Sequence, residues 1–190
     1  MTLLYFVRHC KPDNTNYDDR ERPLTAEGME DSEKVMQFLQ NKDIDQFISS
    51  PYKRSCDTIK KAAEYFKKEI VTDERLRERK SGMNGNNFEM FKRRWNDKDY
   101  AEEGGESIHS VQKRNIEAVN EILDKYKNKR IVVGTHGTAL SSIINYYKKE
   151  FGCDDFLRII NYMPYILKLE FEDHTFIKAT EELIIEKTYE

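Results

Sequence analysis

The chain has 190 residues, which is room for one well-buried core and short for two. Its 32 basic and 35 acidic residues leave a formal net charge of −3, so nothing draws it generally to nucleic acid or anionic membrane, and any anion site must be built locally from chosen cations. No apolar run approaches the roughly 18 residues of a membrane helix and no leader opens the chain, so a soluble cytoplasmic protein is expected. The three cysteines, an odd number without a CxxC pair, are expected to be reduced thiols rather than staples or zinc ligands.

Leu3 to Lys11 opens with five apolar residues running into Arg8 and His9. An unbroken run of this kind predicts a strand covered on both faces, with Arg8 and His9 delivered to the sheet edge where ligands gather in α/β folds. Pro12 to Arg22 reads as a polar loop. Thr25 is expected to cap a helix to about Gln40, with Val35, Met36 and Leu39 on its inner face. Asp43 to Ile48 reads as a second strand. Ser50 as N-cap and Pro51 at the first helical position are expected to start the next helix, buried along Ile59, Ala62, Ala63 and Phe66.

Glu69 to Thr72 suggests a third strand. Residues 80–105 form a long irregular stretch with four glycines and a short helix expected around Phe88 to Arg94; loops this long are commonly functional, so a lid or substrate segment is expected there. Ser107 caps a strongly amphipathic helix through Tyr126. Arg130 to Val133 is another strand, ending in Gly134-Thr135-His136-Gly137 before a helix with Leu140, Ile143, Ile144 and Tyr147 inward. Ile166 to Phe171 and Thr175 to Ala179 read as a hairpin extending the sheet. The alternation predicts a single α/β domain over residues 1–190, a three-layer sandwich whose central sheet is mostly parallel with helices on both faces. Two strands of such a sheet end in histidine, so His9 and His136 can meet at its carboxyl edge.

That pairing suits phosphoryl transfer, which needs fixed cations around phosphorus and a group in line to attack. Arg8 and Arg54 can bind phosphate oxygens bidentately. The backbone amides that follow His136 open a helix and favour an anion. His9, with an ordinary pKa of about 6.5, is substantially neutral at cellular pH and can attack through one ring nitrogen while a backbone carbonyl fixes the other.

Taken together, Arg8-His9, Arg22-Pro23-Leu24-Thr25 with Gly28, Ser50-Pro51 with Arg54 and Thr58, Leu76-Arg77-Glu78-Arg79 with Gly82, Gly104-Gly105-Glu106-Ser107 and His136-Gly137 resemble the histidine phosphatase superfamily, the group that includes cofactor-dependent phosphoglycerate mutases. The resemblance implies the phosphoglycerate mutase-like fold, a phosphohistidine on His9, Arg8, Arg54 and His136 around the phosphoryl group with Gly137 beside them, and Glu78 as proton donor to the leaving oxygen. It implies a metal-independent phosphomonoesterase of the histidine acid phosphatase type, with no cofactor, acting on a small phosphorylated metabolite or, alternatively, a phosphoprotein. As the acid, Glu78 would need a raised pKa, from partial burial or the incoming phosphate. Two departures stand out: Cys10-Lys11 replaces the glycine and acidic or amide residue frequent after the nucleophile, and Asn14 lies slightly off the family's phosphate-binding asparagine.

Three rival chemistries are weighed. A cysteine phosphatase needs C-x5-R, which none of the cysteines has, Cys153 missing it by one position at Arg158, so Cys10 is expected to be a packing residue. A metal hydrolase is disfavoured because the four histidines form no HxH or HxxxH pair, leaving His109 and His174 as ordinary surface or turn residues. Mutase-type phosphoryl transfer and a non-catalytic phospholigand-binding module stand as alternatives. Lys92, Arg93 and Arg94 are candidates for a second anionic group, against a solvated basic face; Phe88, Phe91 and Trp95 could stack on a substrate, against core packing.

Overall fold

The computed structural model describes residues 1–188. Strand Thr2–Arg8 (β1) is buried on both faces, because Leu4 and Phe6 enter one apolar cluster while Tyr5 and Val7 enter the other. The period-two alternation of a strand thus divides one continuous apolar run between two cores.

Around β1 lie strands Gln46–Ser49 (β2), Ile70–Thr72 (β3), Arg130–Thr135 (β4), Tyr162–Glu172 (β5) and Thr175–Glu186 (β6), in the order β3-β2-β4-β1-β5-β6. The first four run parallel, and the β5-β6 hairpin adds an antiparallel edge. Helices Ala26–Leu39 (α1) and Lys53–Tyr65 (α2) cover one face. Helices Ile108–Lys125 (α4), Gly137–Tyr147 (α5) and Cys153–Ile159 (α6), with Phe88–Asn96 (α3) against α6, cover the other. This is the expected three-layer α/β architecture.

Register does the positioning. Arg8 pairs with Thr135 and Gly134 with Ser49, so His9, His136 and Ser50 leave the carboxyl ends of three adjacent strands in one row. Thr25 caps α1 by accepting from the Gly28 N–H at 3.0 Å, and Ser107 caps α4 by accepting from the Ser110 N–H at 3.1 Å.

Three readings change. The helix expected from Ser50-Pro51 starts only at Lys53, after an N-cap Tyr52 that offers no side-chain bond; the Ser50 hydroxyl accepts from the Tyr52 N–H at 3.3 Å and lies 2.7 Å from His136 Nε2. Helix α6 was not anticipated. The hairpin is longer than expected at both ends and turns on Asp173, whose φ of 50° is left-handed. No helix among the described residues is long and apolar enough to cross a membrane.

Candidate active site

A cleft of about 1370 Å³ opens at the carboxyl edge of the parallel strands. Its walls include Arg8, His9, Asn14, Arg54, Glu78 and Gly137, while His136 lies fully buried just behind, its ring centroid 5.3 Å from that of His9. All seven residues expected from sequence therefore converge on one place. Among the described residues, eight lysines and arginines face two acidic residues, Asp19 and Glu78, across the cleft. The field inside favours an anion although the whole chain is mildly acidic.

His9 follows β1 directly. Its Nδ1 lies 2.8 Å from the Cys10 carbonyl oxygen, an acceptor that fixes the proton on Nδ1 and leaves Nε2 with the lone pair. Burial, then the nearby Arg54 and Arg8 guanidinium groups, push the His9 pKa well below its ordinary value. Burial and Arg54 do the same to His136. Both rings are held neutral, the form in which an imidazole nitrogen can attack. Cys10 is fully buried, with its thiol pushed up to about 12 by burial, so it is inert packing beneath the histidine.

The Arg8 Nη1 donates to the carbonyls of Ile159, Ile160 and Tyr162 at 2.7, 2.7 and 3.1 Å, fastening β1 to the end of α6. Gly137 admits the guanidinium closely: a Cβ there would stand 3.2 Å from Arg8 Nη2. Arg54, on the first turn of α2, donates to the Asp19 carbonyl at 2.5 Å and pairs with the Asp19 carboxylate at 3.1 Å. Asp19 also pairs with Arg22 at 3.3 Å. Asn14 is exposed on the same loop.

Glu78 follows a single 3₁₀ turn, Glu74–Leu76. Its carboxylate accepts from the backbone N–H groups of Arg79, Thr138 and Ala139 at 2.7, 3.1 and 3.0 Å. The anion expected at the start of α5 is therefore Glu78 itself: the carboxylate takes the helix-terminal amides that sequence reasoning reserved for phosphate. Arg114, on α4, sets this segment by donating to the carbonyls of Arg75, Arg77 and Glu78 at 2.7, 2.7 and 3.1 Å, and it pairs with Glu106 at 3.0 Å.

Sequence reasoning missed Arg114, Asp19 and the Ser50 hydroxyl as parts of the site. Glu106 and Ser50 fell inside recognised motifs, but Arg114 lies in a helical stripe of mixed charge with nothing local to single it out. Lys92, Arg93 and Arg94 lie outside the cleft: Lys92 covers the Phe88 ring, Arg93 covers Tyr100, and buried Arg94 pairs with Glu102 at 3.2 Å. Glu102 also pairs with Arg79 at 2.7 Å and accepts from the Gly82 N–H. Burial acts to raise the Glu102 carboxyl, yet the Gly82 amide and Arg79 bring it down to about 2. Trp95 is core, packed on Phe151 and Phe156; of the three aromatics, only Phe91 reaches the cleft. No group of histidine, cysteine or carboxylate side chains among the described residues is arranged to hold a metal.

The chain is 32% identical over 132 residues, 65% of its length, to a 2,3-bisphosphoglycerate-dependent phosphoglycerate mutase of Thermoplasma acidophilum, and the match spans 62% of that protein, under two thirds of it. Its fold matches a phosphoserine phosphatase of Entamoeba histolytica, solved with phosphoserine, at a TM-score of 0.78 and 20% identity, covering 96% of this chain and 97% of that one. It likewise matches a mycobacterial glucosyl-3-phosphoglycerate phosphatase at a TM-score of 0.74 and 19% identity, covering 98% and 99%. The model of the histidine phosphatase superfamily (branch 1) matches residues 4–180, and with the paired histidines at the carboxyl edge of the sheet, the chain belongs to that superfamily.

Proposed function

We propose that the protein is a metal-independent phosphomonoesterase acting on a small phosphorylated metabolite through a phosphohistidine at His9. The observation that carries this reading is the His9 tautomer: Nδ1 is engaged by the Cys10 carbonyl at 2.8 Å, so the neutral ring offers Nε2 to a cationic cleft. In the first half-reaction Nε2 bonds to phosphorus, the ester P–O bond breaks, and Glu78 gives a proton to the leaving oxygen. In the second, water attacks phosphorus, its proton passes to the Glu78 carboxylate, and the P–N bond breaks to release phosphate. Arg8, Arg54 and His136 hold the equatorial oxygens with Gly137 giving close access, and Asn14 adds a contact from the loop. The segment 80–105 contributes Lys80, Ser81, Asn86 and Phe91 to the cleft wall and acts as its substrate-facing lid.

Similarity to a bisphosphoglycerate-dependent mutase favours a second reading, in which the phosphohistidine passes its phosphoryl group to a second hydroxyl rather than to water. A panel of phosphorylated metabolites, assayed with chelator present, tests the first reading, and mutase assays with and without a bisphosphoglycerate primer test the second. Release of phosphate that survives chelation and disappears in His9→Ala supports the phosphatase. Binding without turnover across the panel contradicts both.

A further inference from the structure

The cleft has two unlike ends. One is the cationic cradle around His9. The other is an apolar wall made by Phe91 of α3, Phe156 and Leu157 of α6, Ile160 just beyond it, and Met163 of β5. Arg8 joins the two, since its guanidinium is bonded to the carbonyls of Ile159 and Ile160 at 2.7 Å. Any phosphoryl group held by Arg8 therefore lies next to the end of α6, with that wall beside it to receive a leaving group.

Outside the cradle, the cations that could instead receive a second anionic group of the substrate, Lys80 apart, each have a carboxylate partner, so a second anion there would compete with that partner as phosphate competes with Asp19 at Arg54. Arg20 is paired with Glu74, Arg77 with Glu106, Arg79 with Glu102 and Lys11 with Glu27. Among the described residues of the cleft wall outside the cradle, only exposed Lys80 has no carboxylate partner. The basic triplet of α3 faces elsewhere. Phe91 and Leu157 are half-buried and leave apolar surface open to the cleft.

We infer that the wall of Phe91, Phe156, Leu157, Ile160 and Met163 is the leaving-group subsite, and that it selects phosphomonoesters whose alcohol is apolar, alkyl or aryl, over those carrying a second anion. This deepens the proposed function and rests on its placement of the phosphoryl group.

A ladder of primary alkylphosphonates, methyl to hexyl, read by calorimetry on the full chain, tests the subsite without any need for turnover. A methylene buried on such a wall is worth about fourfold in affinity at most, so Kd is expected to fall about twofold to fourfold per carbon beyond ethyl. Propylphosphonate is expected to bind more tightly than 3-phosphonopropanoate, which has the same number of carbons and a second anion. Leu157→Asn flattens the ladder, while Lys92→Ala, outside the cleft, leaves it and the basal activity unchanged. A flat ladder in the wild-type protein, or tighter binding of 3-phosphonopropanoate, overturns the inference. Turnover of the matching alkyl phosphates, whose leaving groups differ little in reactivity, reports separately on the phosphatase: an intact phosphonate ladder with no turnover contradicts the proposed function and leaves the subsite standing.

Discussion

Among the described residues, Asp19 and Glu78 are the only acidic side chains on the cleft wall, and each is placed against groups that a phosphate would want. Asp19 neutralises Arg54 at 3.1 Å and Arg22 at 3.3 Å, so a bound phosphate dianion must share both guanidinium groups with a carboxylate. Asp19 is about half exposed, so solvent screens part of this competition. Asp19→Asn is expected to tighten inhibition by inorganic phosphate about threefold to tenfold; weaker inhibition would mean that the carboxylate chiefly holds Arg54 in position. Glu78 has a different part. If it protonates the leaving oxygen, Glu78→Gln should lower kcat/KM about 10²- to 10⁴-fold for alkyl esters and far less for 4-nitrophenyl phosphate, whose leaving group needs no acid. An equal loss on both substrates would remove Glu78 from the acid role.

The elements act through their ends. Strands β1, β2 and β4 end level, and the residues just past them are His9, Ser50 and His136. Helix α4 reaches the site through one side chain, Arg114, which gathers three carbonyls of the Glu78 segment and the Glu106 carboxylate. Arg114→Ala is expected to lower kcat about 10- to 100-fold by displacing Glu78, with KM and the phosphate inhibition constant little changed because the arginine cradle stays in place. Loss of phosphate affinity in step with kcat would show a general collapse instead.

Much of this scale was legible in the sequence, and the exceptions have physical causes. Periodicity marked α1, α4 and α5 because each sets long side chains against the sheet over three turns or more. Helix α6 has seven residues and buries only Phe156 and Ile159, too few to show a period, and its opening amide is met by Asp155 at 3.0 Å after a glycine that read as loop. Ser50-Pro51 carried a strong local helix-start signal, yet the helix opens at Lys53, and the Ser50 hydroxyl meets both the Tyr52 N–H at 3.3 Å and His136 at 2.7 Å. The occupation of the α5 N-terminus by Glu78 joins segments 60 residues apart, so the sequence displayed both parts without their contact.

At the scale of the molecule, a candidate anion site lies inside a chain of net charge −3, with cations collected at one sheet edge and two neutral histidines buried among them. The pKa values of His9 and His136 are both lowered in the folded state. The unfolded chain takes up protons at these positions near pH 6.5 and the folded protein does not, so their contribution to stability is present above that pH and is lost as pH falls below it. The thermal midpoint of the phosphate-free protein is therefore expected to drop as pH falls from 7 toward 5, and the drop should shrink in a His136→Asn protein that still folds. An unchanged midpoint over that range would mean that neither ring is held neutral by its surroundings. The same shift is expected to place the acid limb of kcat/KM below the ordinary histidine range.

In the proposed mechanism His9 carries the phosphoryl group. Quenching the enzyme during turnover of a ³²P-labelled phosphomonoester, then mapping the label, tests it most directly. The expected result is a phosphoryl adduct on the His9 peptide, labile in acid and stable in alkali, and absent from His9→Ala. Label on Cys10, or steady turnover in His9→Ala with no adduct at any time, would contradict the account.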